Sequence, residues 1–126
     1  MTERILGTTG IEIPRVILGC GTFGGIGGAP DLVGHGLKDV AAFETLDEAF
    51  SIGITMFDTA ERYAEGKSEQ VIGEWLRQQP IGVTSEVRIA TKVAAPFADG
   101  LDNTPFNRSY IEKNLKPASL DWGWSV

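Results

Sequence analysis

Three short apolar runs, rich in β-branched residues, recur along the chain with a helical pattern between one run and the next. The runs are RVILG (15–19), ITMFD (54–58) and VRIATKVA (87–94). Strands that alternate with helices pair in parallel, because each connection must return to the end of the sheet where the previous strand began. The spacing therefore predicts an α/β fold built from βαβ units, with a buried strand at each run.

The segment between the first two runs has the periodicity of an amphipathic helix. Asp39 can cap its start, and Gly53 lies where such a helix ends. Its apolar residues fall on one face: Ala42, Phe43, Leu46, Ala49 and Phe50. This face is predicted to pack on the sheet.

Further elements are predicted on both sides of this unit. RILGTTGIEI (4–13) is typical of a hairpin, and Ser109 and Glu112 stand at capping-box spacing at the start of a third helix. A second helix is predicted to start at Ser68 as its cap. Its predicted core residues are Val71, Ile72, Trp75 and Leu76.

Composition limits the class of protein. The 126 residues are too few for a closed α/β barrel, which needs roughly 200 to 250. A net charge of −6 gives no support for a nucleic-acid partner. The single cysteine, Cys20, permits no internal disulfide, and the polar start MTERILG does not resemble a signal peptide. These features predict a cytoplasmic protein without a membrane segment.

One glycine-rich stretch imitates a nucleotide-binding motif. GCGTFG (19–24) follows a predicted strand and matches G-x-G-x-x-G, with Asp39 and Glu44 about twenty residues on. The third glycine of such a motif must open a helix that binds the pyrophosphate. GIGGAPD (25–31) follows instead and is predicted to be a loop, which argues against a Rossmann-type module.

Two charged residues and a tyrosine are predicted to meet at the carboxyl ends of the strands. Asp58 and Lys92 lie at the ends of strands that would be about 4.8 Å apart, close enough for an ion pair. Tyr63, on the loop after Asp58, can fold over the ammonium group. A nearby ammonium favours the phenolate form of a tyrosine, so such a phenol is a good proton donor to a carbonyl oxygen that receives a hydride. The cluster indicates carbonyl reduction with a nicotinamide cofactor.

Each of these residues also has a structural interpretation. Asp58 could be a cap in a βα loop, Lys92 a strand-end residue that reaches water, and Tyr63 a loop aromatic over the core. The residues alone leave both interpretations open.

The order LGTTGIEIPRVILGCGTFGG, LDEAFSIGITMFDTAERYAEGKSEQVIGEWL and VRIATKV resembles the N-terminal part of an aldo/keto reductase, from about residue 4 to about 116. The resemblance implies a (β/α)8 TIM barrel, of which residues 1–126 would be a single N-terminal fragment: a hairpin plus about three βα units. It also implies NADPH-dependent reduction of aldehydes or ketones without a metal.

The resemblance also implies roles for individual residues. It assigns catalytic roles to three: Tyr63 as proton donor, and Asp58 and Lys92 as its supporting pair. It assigns cofactor contacts to four: Gly21, Thr22, Phe23 and Asp58. Ala64 stands where many members have glycine, a departure expected to be harmless.

Other parts of the family pattern are not found. The family's catalytic histidine lies at the tip of a fourth strand, and the only histidine of this chain, His35, is in the glycine-rich loop and is expected to be solvated. The main segments that bind the adenosine phosphate are not found either. A chain with this sequence is expected to be inactive alone, and a non-enzymatic fragment is the alternative.

The last ten residues depart from the family pattern. Pro117 falls inside the third helix of the pattern, where it would break a backbone hydrogen bond. DWGW (121–124), translated in another reading frame, gives Leu-Gly followed by Leu, Met or Val, which is the family's usual continuation. Residues 117–126 are therefore interpreted as an aberrant tail, with a frameshift as the hypothesis for its origin.

Overall fold

The computed structural model describes residues 4–93, 108–112 and 114. Its first element is a small antiparallel hairpin. Strands β1 (Arg4–Ile5) and β2 (Glu12–Ile13) pair, and the Leu6 N–H donates to the Ile11 carbonyl oxygen at 2.9 Å. The predicted hairpin is confirmed.

A three-stranded parallel sheet forms the centre of the fold. Its strands, in spatial order, are β3 (Leu18–Gly19), β4 (Met56–Asp58) and β5 (Arg88–Ala90). The register aligns the last residues of all three strands. The predicted parallel βαβ arrangement is therefore confirmed.

The strands are shorter than the apolar runs. Val16 and Ile17 are 50% and 42% exposed, so the prediction that the whole run 15–19 is buried is wrong. Both residues precede the first paired residue of β3, where no neighbouring strand among the described residues covers them. Strand β5 ends two residues before Lys92, and residue 94 lies outside the described ranges.

Helix α1 (Asp39–Ser51) connects β3 to β4. The predicted cap is wrong by one position, since Lys38 occupies the cap and Asp39 is the first helical residue. The predicted end is confirmed: Gly53 has φ 86° and donates its N–H to the Phe50 carbonyl oxygen at 2.9 Å. A positive φ at this position suits glycine, and the bond satisfies a carbonyl at the helix end.

A 3-10 turn (Tyr63–Gly66) and two α-helices connect β4 to β5. Helix α2 (Lys67–Gln78) starts after Gly66, whose φ is 89°, so the prediction that Ser68 caps it is wrong. Helix α3 (Ile81–Glu86) was not predicted, because it is six residues long and has no buried residue from which a periodicity could be read.

Part of the predicted third helix is present. Residues 108–112 and 114 are helical. Ser109 already lies within this helix, and Glu112 accepts a hydrogen bond from the Arg108 Nε at 2.6 Å, so the predicted capping box is wrong. Pro117 and the tail 117–126 lie outside the described residues. No helix in the described part of the chain combines the length and apolarity that crossing a membrane requires.

The core lies between the sheet and the two long helices. The Phe57 and Trp75 rings meet edge to face, with centroids 5.7 Å apart and planes at 70°. The Trp75 indole N–H donates to the Asp47 Oδ1 at 2.7 Å and so joins α2 to α1. The predicted apolar faces of both helices are confirmed, since their residues are buried or pack against the core: Ala42, Phe43, Leu46, Ala49, Phe50, Val71, Ile72, Trp75 and Leu76.

Candidate active site

The carboxyl ends of the three strands meet at one edge of the sheet, and backbone hydrogen bonds continue beyond the strands there. The Cys20 N–H donates to the Asp58 carbonyl oxygen at 2.8 Å, and the Thr59 N–H donates to Ala90 at 2.8 Å. The Glu61 N–H donates to the Lys92 carbonyl oxygen at 3.1 Å. The residues at the strand ends are therefore held at fixed positions.

Asp58 and Lys92 form the predicted ion pair. The Lys92 Nζ lies 2.8 Å from both carboxylate oxygens of Asp58, and it also donates to the Thr59 carbonyl oxygen at 2.7 Å. The two side chains are 42% and 50% exposed. An ion pair as accessible to water as this one stabilises a fold by only about 0 to 1 kcal/mol.

The Tyr63 ring lies beside this pair. The Lys92 Nζ is 5.1 Å from the centre of the ring, within the range of a cation–π contact. A Cβ placed on Gly21 would be 3.7 Å from the same ring, so Gly21 packs directly against it. The structure thus brings Asp58, Tyr63, Lys92 and Gly21 together.

The other two residues of the GTF segment differ in exposure. Thr22 is exposed, whereas Phe23 is 1% exposed and belongs to the hydrophobic core. Phe23 pairs with Leu37 in a parallel bridge that closes the glycine-rich loop, and no helix starts at Gly24, since the next helical residues are the short 3-10 turn Pro30–Leu32. His35 is exposed in this loop.

The backbone after Tyr63 adopts a conformation that side chains rarely take. Ala64 and Glu65 have φ values of 49° and 56°, in the left-handed region that costs a residue with a Cβ about 1 kcal/mol. The Ala64 N–H donates to the Gly27 carbonyl oxygen at 2.9 Å, which fastens the turn to the glycine-rich loop. A Cβ on Gly25 would lie 2.7 Å from the Ala64 Cβ.

Gly25→Ala is therefore expected to destabilise the chain by about 1 to 3 kcal/mol, because the added methyl group overlaps that of Ala64. Ala64→Gly alone should stay within about 1 kcal/mol of the parent, since relief of the left-handed backbone offsets the entropy cost of glycine. The double variant should regain part of the loss. Urea unfolding followed by circular dichroism measures all three, and strictly additive effects would contradict this packing.

Cys20 lies at the end of β3, directly next to the site, with no exposed surface. Its Sγ lies 3.6 Å from the Leu18 carbonyl oxygen. Burial, together with the negative charge of Asp58, raises the pKa of the Cys20 thiol from 9.0 to about 12. Sequence reasoning used this cysteine only to exclude an internal disulfide.

The raised pKa predicts a loss of stability in alkali. In the unfolded chain the Cys20 thiol releases its proton from about pH 9, whereas in the folded chain it keeps the proton until about pH 12. The free energy of unfolding is therefore unaffected by this thiol below pH 9 and falls as the pH rises from 9 towards 12. The expected slope is about 1.4 kcal/mol per pH unit. Urea unfolding of the parent and Cys20→Ala at several pH values measures it, and parallel profiles would contradict the assignment.

Comparison with known proteins relates this arrangement to one family. The model of the aldo/keto reductase family matches residues 15–120. Versiconal hemiacetal acetate reductase of Aspergillus parasiticus is 36% identical over 87 residues, which cover 69% of this chain and 24% of that protein. Aldo-keto reductase YhdN of Bacillus subtilis is 31% identical over 126 residues, which cover 97% of this chain and 36% of that protein.

A solved structure shows the same fold. Aldo-keto reductase AKR11C1 from Bacillus halodurans, in its holo form, matches with a TM-score of 0.74 at 24% identity and covers 98% of this chain and 37% of that chain. The described residues thus correspond to part of a (β/α)8 barrel, with a hairpin and three strands that do not close a barrel by themselves. The chain spans about a quarter to a third of the curated relatives named above.

Proposed function

The chain belongs to the aldo/keto reductase family, and from this membership we propose that it forms part of an oxidoreductase that reduces aldehydes or ketones to alcohols with NADPH. The observation that carries the proposal is the meeting of Asp58, Lys92 and Tyr63 at the strand ends, with the ammonium 2.8 Å from the carboxylate and 5.1 Å from the ring.

In the proposed reaction, the Tyr63 phenol donates its proton to the carbonyl oxygen of the substrate. A reduced nicotinamide cofactor, when bound, supplies the hydride to the carbonyl carbon. A positioned general acid of this kind contributes about 10²- to 10⁴-fold to a rate. The Lys92 ammonium, beside the ring, stabilises the negative charge that develops on the phenol as the proton leaves.

Asp58 has the supporting role. Both of its carboxylate oxygens accept hydrogen bonds from the Lys92 ammonium, which also binds the Thr59 carbonyl oxygen. These three acceptors fix the position of the Lys92 ammonium before the reaction begins, so the ammonium need not reorient as the phenolate forms.

The residues present fit one end of a nicotinamide cofactor. Gly21 has no side chain to cover the Tyr63 ring, and Thr22, the next residue in the chain, is exposed. Phe23 is buried, so we propose that this position contributes through its backbone. NADPH rather than NADH, a small carbonyl substrate and a cytoplasmic location are proposed from the family resemblance and composition.

Activity is proposed for the whole protein of which such a chain would be part, and the 126-residue chain alone is proposed to be inactive. The resemblance places the histidine and the adenosine-phosphate segments in parts of the barrel that correspond to no residue here. An exclusively non-enzymatic fragment is the alternative.

A hybrid protein tests the proposal. Residues 4–114 of this chain replace the matching segment of YhdN, and NADPH oxidation is measured with an aldehyde on which turnover by unmodified YhdN has first been established. A folded hybrid that oxidises NADPH only when the aldehyde is present supports the proposal. A hybrid with the circular dichroism and melting behaviour of a folded barrel but no turnover contradicts it.

A further inference from the structure

The first turn of α2 contains two buried polar side chains. Ser68 has no exposed surface, and Glu69 is only 5% exposed. Polar groups at this depth destabilise a fold unless they form hydrogen bonds. The partners of Ser68 and Glu69 lie at the ends of all three strands.

Ser68 joins the first two strand ends. Its hydroxyl donates to the Cys20 carbonyl oxygen at 2.8 Å and lies 2.8 Å from the Thr59 Oγ1. Because a carbonyl oxygen can only accept, the single proton of Ser68 points to Cys20, and Thr59 must be the donor to Ser68. The two hydrogen bonds therefore run from Thr59 to Ser68 and from Ser68 to Cys20, and they fix the orientations of both hydroxyl groups.

Glu69 joins the third strand end. The Thr91 hydroxyl donates to the Glu69 Oε1 at 2.6 Å, a length typical of a charge-assisted bond. The carboxylate lies in the first turn of α2, where the helix dipole favours negative charge. Ser68 and Glu69, adjacent in sequence, thus bind one helix end to the sheet at three points.

Both threonines in these contacts are neighbours of the ion pair. Thr59 directly follows Asp58, and Thr91 directly precedes Lys92. Thr59 is bound at both ends, because its carbonyl oxygen accepts from the Lys92 Nζ at 2.7 Å while its hydroxyl is held by Ser68. A displacement of either threonine would move a member of the ion pair.

We propose that Ser68 and Glu69 are positioning residues, which hold the backbone on both sides of the Asp58–Lys92 pair so that the ammonium stays bound to its three acceptors. The effect on proton transfer rests on the proposed function; the effect on Lys92 does not. From the sequence, Ser68 is predicted to be a helix cap, and Glu69 belongs to the motif that carries the family resemblance but is given no role of its own.

The test is competitive acetylation of the full chain with acetic anhydride, with Lys92 compared with Lys38 by mass spectrometry. The lysine ammonium must leave its acceptors and give a proton to water before its nitrogen can attack the anhydride and release acetate. Ser68→Ala and Thr91→Val are each expected to raise the ratio of the Lys92 acetylation rate to the Lys38 acetylation rate about tenfold. A factor of this size corresponds to the loss of one hydrogen bond to the charged Lys92 ammonium. Thr91→Ser keeps the hydroxyl and should leave the ratio at the parent value.

Ile72→Val is the matched control, because it destabilises the buried face of α2 without touching these hydroxyls. Its ratio should stay at the parent value. If Ser68→Ala and Thr91→Val lose stability but keep that ratio, the two residues are merely structural and the proposal is overturned. If Thr91→Ser raises the ratio as much as Thr91→Val, the proposal is also overturned, since the hydroxyl is then not responsible.

Thr91 is exposed, so Thr91→Val decides the matter if Ser68→Ala does not fold. The measurement reads the reactivity of one lysine and requires no turnover. A chain that positions Lys92 as proposed but supports no carbonyl reduction would therefore give the expected labelling and fail only in the hybrid assay.

Discussion

Tyr63→Phe is expected to lower kcat of the hybrid reductase by about 10²- to 10⁴-fold, because it removes the proposed proton donor and keeps the ring. The ring contacts with Lys92 and Gly21 do not require the hydroxyl, so the folded structure should change little. Steady-state NADPH oxidation gives kcat, and thermal melting shows whether the variant is folded.

Tyr110→Phe is the matched control. It removes the other phenol of the chain, whose hydroxyl donates to the Glu61 Oε1 at 3.1 Å. This variant should keep kcat within about twofold, because the half-buried hydroxyl that it removes binds Glu61 and has no part in the proposed proton transfer. Equal activity of Tyr63→Phe and the parent hybrid would exclude Tyr63 as the proton donor.

Trp75→Ala is expected to abolish cooperative folding of the chain. Its side chain is 2% exposed, meets the Phe57 ring and donates to Asp47, so alanine leaves a cavity between both helices and the sheet. Such a change costs about 3 to 5 kcal/mol. Total stabilities of small domains are about 5 to 15 kcal/mol, and we expect a hairpin and three strands that do not close a barrel to lie at the lower end, where such a loss removes the folded state. Urea titration followed by far-ultraviolet circular dichroism measures the loss.

Trp75→Phe separates packing from hydrogen bonding at this position. The smaller ring still contacts Phe57, and Asp47, which is exposed, can bind water in place of the indole. The expected loss is about 1 to 2 kcal/mol with a cooperative transition retained. A Trp75→Ala chain as stable as Trp75→Phe would show that this core does not depend on the ring.

The alternation of strands and helices could be predicted because the burial pattern is local. Helix faces such as that of α1 repeat at helical spacing, and Gly53 marks a helix end that needs a positive φ. The residue at which strand β3 begins within the run 15–19 could not be predicted. Val16 and Ile17 have the composition of a buried strand, but burial depends on a neighbouring strand that sequence alone does not place.

The ion pair of the site could be predicted from strand register. Asp58 ends one apolar run and Lys92 lies near the end of another, and parallel strands bring such residues to one edge. The contacts of Ser68 with the sheet could not be predicted, because a serine near the start of a helix is usually interpreted as its cap. The left-handed Gly66 starts the helix earlier and turns the Ser68 hydroxyl towards the sheet. A contact between residues 48 positions apart, as between Ser68 and Cys20, leaves no local pattern.

A double-mutant cycle in the hybrid measures whether Tyr63 and Lys92 act as one proton-donating unit, with kcat/KM determined for Tyr63→Phe, Lys92→Met and the double variant. If Lys92 acts through the Tyr63 phenol, the double variant should lose no more than about threefold beyond the worse single variant. Losses that multiply would show two independent contributions and would exclude a joint proton-donating unit of Tyr63 and Lys92.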